Sequence, residues 1–166
     1  MTDNDYSITA MSRDDFEQFW PVFRDIVDAQ ETYAFPVGMT LEEGYHLWCE
    51  YPQQTFALKI DDSVAGSYYI KPNAAGPGSH VCNCGYMVDP HFRGQGIART
   101  LCEHSQQVAE DLGFHAMQFN SVVSTNEAAV HLWEKMGYNI IGTVPQAYQH
   151  KSRGLVDAYV MYKKLS

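Results

Sequence analysis

Apolar positions change period several times along the 166 residues, and each change marks an expected element boundary. Tyr6 to Met11 reads as a first strand. Ser12 then offers an N-cap with Asp14 and Asp15 in the first turn, and Phe16, Phe19, Trp20 and Phe23 follow at helical spacing. Pro21 predicts a kink or a division of that helix. Thr40-Leu41-Glu42-Glu43 is a capping box, and Tyr45, Leu47, Trp48 and Tyr51 carry a second helix to a stop at Pro52. Between the two helices, Glu31-Thr32-Tyr33-Ala34-Phe35-Pro36 is aromatic without being periodic.

Thr55 to Ile60 and Val64 to Lys71 are β-rich runs joined across Asp61-Asp62-Ser63, a hairpin. A Gly/Pro/Asn loop, Pro72 to Gly78, delivers the chain into a strand at about His80 to Val88, which Pro90 keeps from simple continuation. Ile97, Leu101, Val108 and Leu112 then form one helical stripe, with Gly113 where a C′ residue belongs. A strand from His115 to Asn120 follows. Ala129, Leu132, Trp133 and Met136 mark a further helix stopped by Gly137, and Tyr138 to Val144 and Leu155 to Lys164 make two last strands. The order contains one strand-helix-strand crossover, His80 to Asn120. It predicts an α/β (α+β) class fold: a mixed, mostly antiparallel sheet with one central parallel strand pair, flanked by helices.

No repeat or linker divides the sequence, so a single domain over 1–166 is expected, long enough to bury roughly 70% of its unfolded surface. Eleven Lys and Arg against 20 Asp and Glu give a net charge of −9, the wrong sign for a protein that tracks a nucleic-acid backbone. A small anionic cofactor stays compatible, because backbone N–H groups bind phosphate whatever the net charge. Met1 to Asp5 has neither a basic nor an apolar leader region, and no stretch is long enough for a membrane span; a cytoplasmic location without a membrane partner is expected. Cys49, Cys82, Cys84 and Cys102 read as small buried thiols, the Cys82/Cys84 pair on one strand face. The histidines show no metal-ligand spacing, so no metal is expected.

Arg93-Gly94-Gln95-Gly96-Ile97-Ala98 follows a strand and opens a helix, the setting in which unpaired N–H groups and the positive helix end face one anion. A dinucleotide fingerprint would need glycine at 99, which is Arg99, and the lysine of a phosphate-binding P-loop is absent. Alone, the hexapeptide is equally well read as a glycine-started helix with no ligand. With its flanks, however, Met87-Val88-Asp89-Pro90-His91-Phe92-Arg93-Gly94-Gln95-Gly96-Ile97-Ala98 resembles the acetyl-CoA motif of the GNAT family of N-acetyltransferases. Asn126 to Tyr138 resembles that family's second signature, in the right order and roughly 30 residues on. The element order matches along almost the whole chain.

The resemblance implies the GNAT fold and acetyl-CoA as co-substrate. It places the backbone of Met87 and Val88 on the pantetheine arm and the N–H groups around Gly94, Gln95, Gly96, Ile97, Ala98 and Arg99 on the pyrophosphate. Arg93 is assigned to the 3′-phosphate or the pyrophosphate, a solvated loop charge being the alternative, and Asn126 to the pantetheine or acyl end; Trp133, four residues after Ala129, reads as core or as a wall beside the thioester. Asn126 also reads as the N-cap of the helix from Glu127. Many family members carry a Tyr acid where this chain has Trp133, which has no titratable proton, and the frequent Glu on the preceding strand is lacking. Tyr138 and Tyr148 are substitutes, each also readable as packing. Asn120, at the expected end of a buried strand beside the crossover, is the favoured polar site residue, a turn Asn being the alternative. Glu31, Tyr33, Phe35 and Tyr69 are expected to complete the acceptor pocket, an aromatic lid packed on the core being the equal alternative for the loop; Lys151 and Arg153 read first as solvated charges and second as cations that attract a substrate carboxylate.

The expected activity is direct acetyl transfer to the amine of a small, amino-acid-like molecule or toxic analogue. Protein N-termini as acceptors and a non-catalytic acyl-CoA sensor are the alternatives, and a homodimer stays compatible with the sequence.

Overall fold

The computed structural model describes residues 5–166, so the expectation placed on the first residues lies almost wholly outside it. In chain order the elements are β1 (Tyr6–Ala10), α1 (Arg13–Asp28), α2 (Leu41–Tyr45), β2 (Gln54–Ile60), β3 (Ser63–Pro72) and β4 (Val81–Val88). They continue with α3 (Ile97–Asp111), β5 (Ala116–Val123), α4 (Glu127–Lys135), β6 (Asn139–His150) and β7 (Gly154–Lys164). The seven strands form one sheet in the order β1-β2-β3-β4-β5-β7-β6, antiparallel everywhere except between β4 and β5. This is the mixed sheet with a central parallel pair that the single crossover predicts.

Each face of the sheet carries its own apolar layer. Phe16, Phe19, Phe23 and Val27 of α1 pack with Trp48 on Ala57, Val64 and Met87. On the other face α3 and α4 bury Ile97, Leu101, Cys102, Ala109 and Trp133 against Leu58, Tyr68, Met117 and Met161. Cys82 and Cys84 share that second face; they and Cys102 are buried free thiols, and Cys49 is half-buried. The buried stripe of α3 includes Cys102, Ser105 and Ala109, whereas Leu112 is exposed. Small residues prevail because the helix lies close to the sheet: a Cβ on Gly66 of β3 would stand 3.0 Å from both Ile97 and Leu101 side chains and 3.1 Å from the Met87 carbonyl. Ser105 is tolerated because its hydroxyl meets that of Tyr86 at 2.6 Å and donates to the Cys102 carbonyl.

Four boundaries differ from those the sequence predicts. α1 runs undivided through Pro21, whose side chain faces solvent while Phe19 and Phe23 beside it are buried; packing of that face outweighs the few kcal/mol a proline costs a helix. The second helix changes at His46 into a π-helical turn to Glu50, the Tyr51 N–H reaching back to the His46 carbonyl. That turn seats Trp48, whose indole donates to Ser67 at 2.9 Å while its carbonyl accepts from Thr55. β5 does not end at Asn120 but continues to Val123, and β6 runs past Pro145 to His150 because irregularities in its pairing with β7 absorb the proline. The β2–β3 turn places Asp61 and Asp62 at φ 48° and 64°, the pair of left-handed residues a two-residue hairpin requires.

Asp15 joins α1 to the sheet. Its carboxylate accepts from the Ser12 N–H at 3.0 Å, completing the capping box, and meets the Lys59 ammonium of β2 at 2.7 Å. Burial pushes its pKa up, but the Lys59 ammonium and the Ser12 backbone and hydroxyl bring the net value below the ordinary one. A carboxylate held lower when folded stabilises fully above its unfolded value of about 4, and that stabilisation is lost as pH falls through the lower folded value. Asp15→Ala is therefore expected to cost about 1–2 kcal/mol in urea denaturation at pH 7, the gap to the parent narrowing progressively below about pH 4.

Candidate active site

β4 and β5 are paired only at Val81 with Ala116 and Cys82 with Met117. Asn83 closes the fork: its Nδ2 donates to the Gln118 carbonyl at 2.9 Å, and its Oδ1 accepts from the Tyr69 hydroxyl at 3.1 Å. Beyond it the strands part around a cavity of about 300 Å³. Cys84, Gly85 and Tyr86 line one side and Phe119 to Val123 the other; α4 adds Asn126, Ala129 and Trp133, and the loop after α1 adds Thr32 to Phe35.

Pairing alternates along β4. The Asp89 N–H donates to Ala65 of β3, and Met87 sits opposite Ser67, so Met87 and Gly85 turn their peptides toward β3 while Tyr86 and Val88 present theirs to the open edge. The assignment of the Met87 backbone to a ligand is corrected on this ground: its peptide is spent in the sheet and its side chain is buried under α1. The Val88 peptide faces the opening.

Of the residues expected in the acceptor pocket, Tyr33, Phe35, Tyr69 and Asn120 line the cavity and Glu31 does not; Glu31 is exposed. Tyr33 and Phe35 are both wall and lid, since their rings lie 5.1 Å apart and both pack edge-on against Trp48. The Tyr33 hydroxyl donates to the Tyr86 carbonyl at 2.6 Å, and the Tyr33 carbonyl accepts from the Tyr148 hydroxyl at 3.0 Å. Burial, with the neighbouring Tyr69 and Cys84, pushes the Tyr33 pKa well up although its bond to Tyr86 opposes this, so the phenol keeps its proton throughout the neutral range. Tyr69 lies flat on β4 because position 85 is glycine: a Cβ there would fall 2.3 Å from the ring.

Asn120 stands at a bulge rather than at a strand end. The β5–β7 register shifts between Phe119 and Val122, which turns Asn120 and Ser121 outward. Asn120 donates to Asn73 Oδ1 at 2.7 Å and accepts from Gln118 Nε2 at 3.1 Å, so its amide is oriented from both sides.

The two tyrosines offered as substitute acids do not reach the cavity wall. Tyr138 is stacked 4.5 Å from Phe119 on its core side, its hydroxyl 2.9 Å from Met117 Sδ and within 3.3 Å of Gln106. Tyr148 instead holds the loop at Tyr33, and burial, then Glu31, raise its pKa. Trp133 does line the cavity, packed 5.0 Å from both Tyr86 and Phe119. Lys151 and Arg153 sit in the exposed β6–β7 turn, off the wall. Sequence reasoning missed Asn83, Gly85 and Lys71. The available signal was a polar residue and a glycine inside the apolar run Val81 to Val88, and a cation next but one to Tyr69.

The start of α3 departs from the other helices. α1 and α2 close their first turns with the capping boxes Ser12/Asp15 and Thr40/Glu43, and α4 with Asn126, whose Oδ1 accepts from the Ala129 N–H at 3.4 Å; each also carries an acidic first turn. α3 begins at Gly96 with no side-chain cap and no acidic residue. Gly94 and Gly96 have φ of 80° and 72°, a left-handed turn that glycine adopts without strain. The N–H groups of Ile97, Ala98 and Arg99 therefore have no intrahelical partner, and the positive helix end is not neutralised from within. Arg93 is exposed at the same turn, Gln95 is half-buried, and Arg99 pairs with Glu103 at 3.1 Å. Near the N-terminus of α4 the Thr125 hydroxyl is buried without a partner among the described residues. These groups fit an anionic ligand reaching from the α3 turn along the open edge of β4. Among the described residues no three His, Cys, Asp or Glu side chains gather as metal ligands, and no helix is long and apolar enough to cross a membrane.

The family model described as the acetyltransferase (GNAT) family matches residues 16–138. N-acetyltransferase aca1 of Schizosaccharomyces pombe is 39% identical over 107 residues, 64% of this chain and 51% of that protein, so the match spans about half the relative's length. L-amino acid N-acetyltransferase AaaT of Escherichia coli is 27% identical over 122 residues, 70% of this chain and 74% of that protein. The structure of a GCN5-related N-acetyltransferase from Kribbella flavida covers 96% of this chain and 97% of its own with a TM-score of 0.90 at 39% identity. On the family match, the shared fold and the open α3 turn beside the β4–β5 fork, the chain belongs to the GNAT acetyltransferase family.

Proposed function

We propose that the protein transfers acetyl from acetyl-CoA to the amine of a small, amino-acid-like acceptor, both held together in the fork between β4 and β5. The observation that carries this reading is the uncapped, acid-free start of α3 at the end of the strand whose free edge lines the cavity. The relative named for L-amino acids accords with the acceptor class.

Acetyl-CoA supplies the acetyl thioester: the C–N bond forms as the C–S bond breaks, the amine loses a proton and the sulfur leaves as thiol. The chain's part begins with the N–H groups of Ile97, Ala98 and Arg99, assigned with Arg93 to the phosphates. The outward-facing peptide of Val88 holds the extended arm, as an added half-strand. Asn126 keeps an Nδ2 available after its Oδ1 has capped α4. Asn120 and the Tyr33/Phe35 wall orient the acceptor.

Among the described residues no carboxylate lines the cavity, and Trp133 has no titratable proton to give. Acceleration is therefore assigned chiefly to orientation, which can supply several kcal/mol of a barrier. Tyr33 contributes by fixing the Tyr86 carbonyl and with it the free edge of β4. The amine must lose a proton that a free alkylamine near pKa 10 mostly retains at neutral pH, so the rate is expected to rise with pH.

A thiol-release screen over amino acids, imino acids, polyamines and short peptides is expected to give turnover with at least one amino or imino acid. Binding of acetyl-CoA with no thiol release from any amine would instead leave a sensor. Gly96→Asp places a carboxylate among the α3 amides and is expected to weaken acetyl-CoA binding more than about 30-fold by calorimetry; unchanged affinity would remove the phosphate assignment. Asn120→Ala should lower acceptor kcat/KM about tenfold while acetyl-CoA affinity stays at the parent value. Steady-state kinetics identical to the parent would exclude its substrate role.

A further inference from the structure

We propose that Lys71 anchors a carboxylate on the acceptor, so that the cavity selects α-amino or imino acids as free acids over polyamines, carboxyl esters and peptide N-termini. The inference rests on the acetyl-transfer reading and specifies the acceptor that it leaves open.

Among the described residues that line the cavity, Lys71 alone carries a formal charge. The chain has a net charge of −9, yet none of the carboxylates among the described residues lines this wall. Among the described residues the ion pairs are made by other side chains, and Lys71 takes part in none. What holds its ammonium is aromatic: Nζ lies 4.8 Å from the Tyr51 ring centroid and 5.6 Å from that of Tyr69. Ring faces attract a cation without neutralising it or supplying a hydrogen-bond acceptor of carboxylate strength. Tyr69 is itself fixed, flat on Gly85 and bonded to Asn83, so the cation is steadied on its inner side.

A second donor is on β5. Asn120 has one Nδ2 proton committed to Asn73 and its Oδ1 to Gln118, which leaves its second Nδ2 proton uncommitted among the described residues. An ammonium on one wall and an amide donor on the other suit the two oxygens of one carboxylate. A polyamine finds the reverse: its second ammonium has no counter-charge on the wall and faces Lys71. Lys151 and Arg153, the cations first considered for this role, are in the exposed hairpin turn instead.

The test compares free amino and imino acids with their matched methyl esters, alongside spermidine and a short peptide, in parent, K71M, K71Q and K71R proteins. Thermal melts and acetyl-CoA affinity serve as controls, and K71Q is the second neutral variant should K71M melt early. The parent is expected to prefer the free acid over its ester by about tenfold or more in kcat/KM, expressed mainly in KM. The neutral variants should lose that preference at unchanged acetyl-CoA affinity, and K71R should keep most of it. Equal use of acid and ester by the parent, a preference that survives K71M and K71Q, or turnover confined to spermidine or the peptide would overturn the assignment. Should no amine release thiol, the acetyl-transfer reading fails on its own. Calorimetric titration of the CoA-bound protein with the same free acids then decides Lys71: binding lost in both neutral variants supports the anchor, and no binding by the parent refutes it.

Discussion

Two strands that begin parallel and then separate leave their facing N–H and C=O groups without partners, and a folded protein cannot leave many such groups both buried and unsatisfied. In this molecule the separation starts after Cys82 and Met117, and the surrounding architecture answers to it. Asn83 substitutes side-chain bonds for the next rung of the ladder, Tyr33 satisfies the Tyr86 carbonyl, and aromatic rings from three elements line the wedge. What stays open is the stretch of β4 leading to the α3 turn, the segment that an extended polar chain could pair with.

The same economy of partners explains the contrast among helix ends. Three helices neutralise their own N-termini with side chains, and the fourth leaves its amides exposed on a glycine turn. Because glycine provides no oxygen for capping and tolerates positive φ, one local choice leaves the amides uncapped and opens the approach to them. Gly66 extends that logic across the sheet: without a Cβ there, α3 can sit low enough to bring its first turn beside the end of β4.

The element order, the parallel pair and the α3 turn were legible in the sequence because each follows from local chemistry: periodicity, capping residues and glycines at a strand-to-helix junction. Pro21 misled because its cost is local while the compensation, burial of Phe19 and Phe23, is tertiary. Asn120 was placed correctly beside the crossover for an incorrect reason, since a bulge set by pairing with β7 turns it outward, and pairing registers are not written in one strand. Tyr138 and Tyr148 could not be separated from Tyr33 by residue type. All three are aromatic with hydroxyls, and only tertiary packing decides which ring reaches the wedge. Lys71 was overlooked for a similar reason: a lysine at a strand end is ordinarily solvated, and what sets it apart is that, among the described residues, no acid from any other element lines the same cavity.

The Tyr148 hydroxyl is bonded to a carbonyl 115 positions earlier in the chain, and the ring that follows that carbonyl's own Cα is bonded to β4. The Tyr33 wall of the cavity is thus suspended from the β6–β7 hairpin as well as from the strands that form it. Its dimensions can be retuned by substitutions on β6 that never touch a bound molecule. Divergence in the last two strands would then reshape the cavity among proteins whose α3 turns remain identical, and a comparison restricted to residues lining the pocket would miss the cause.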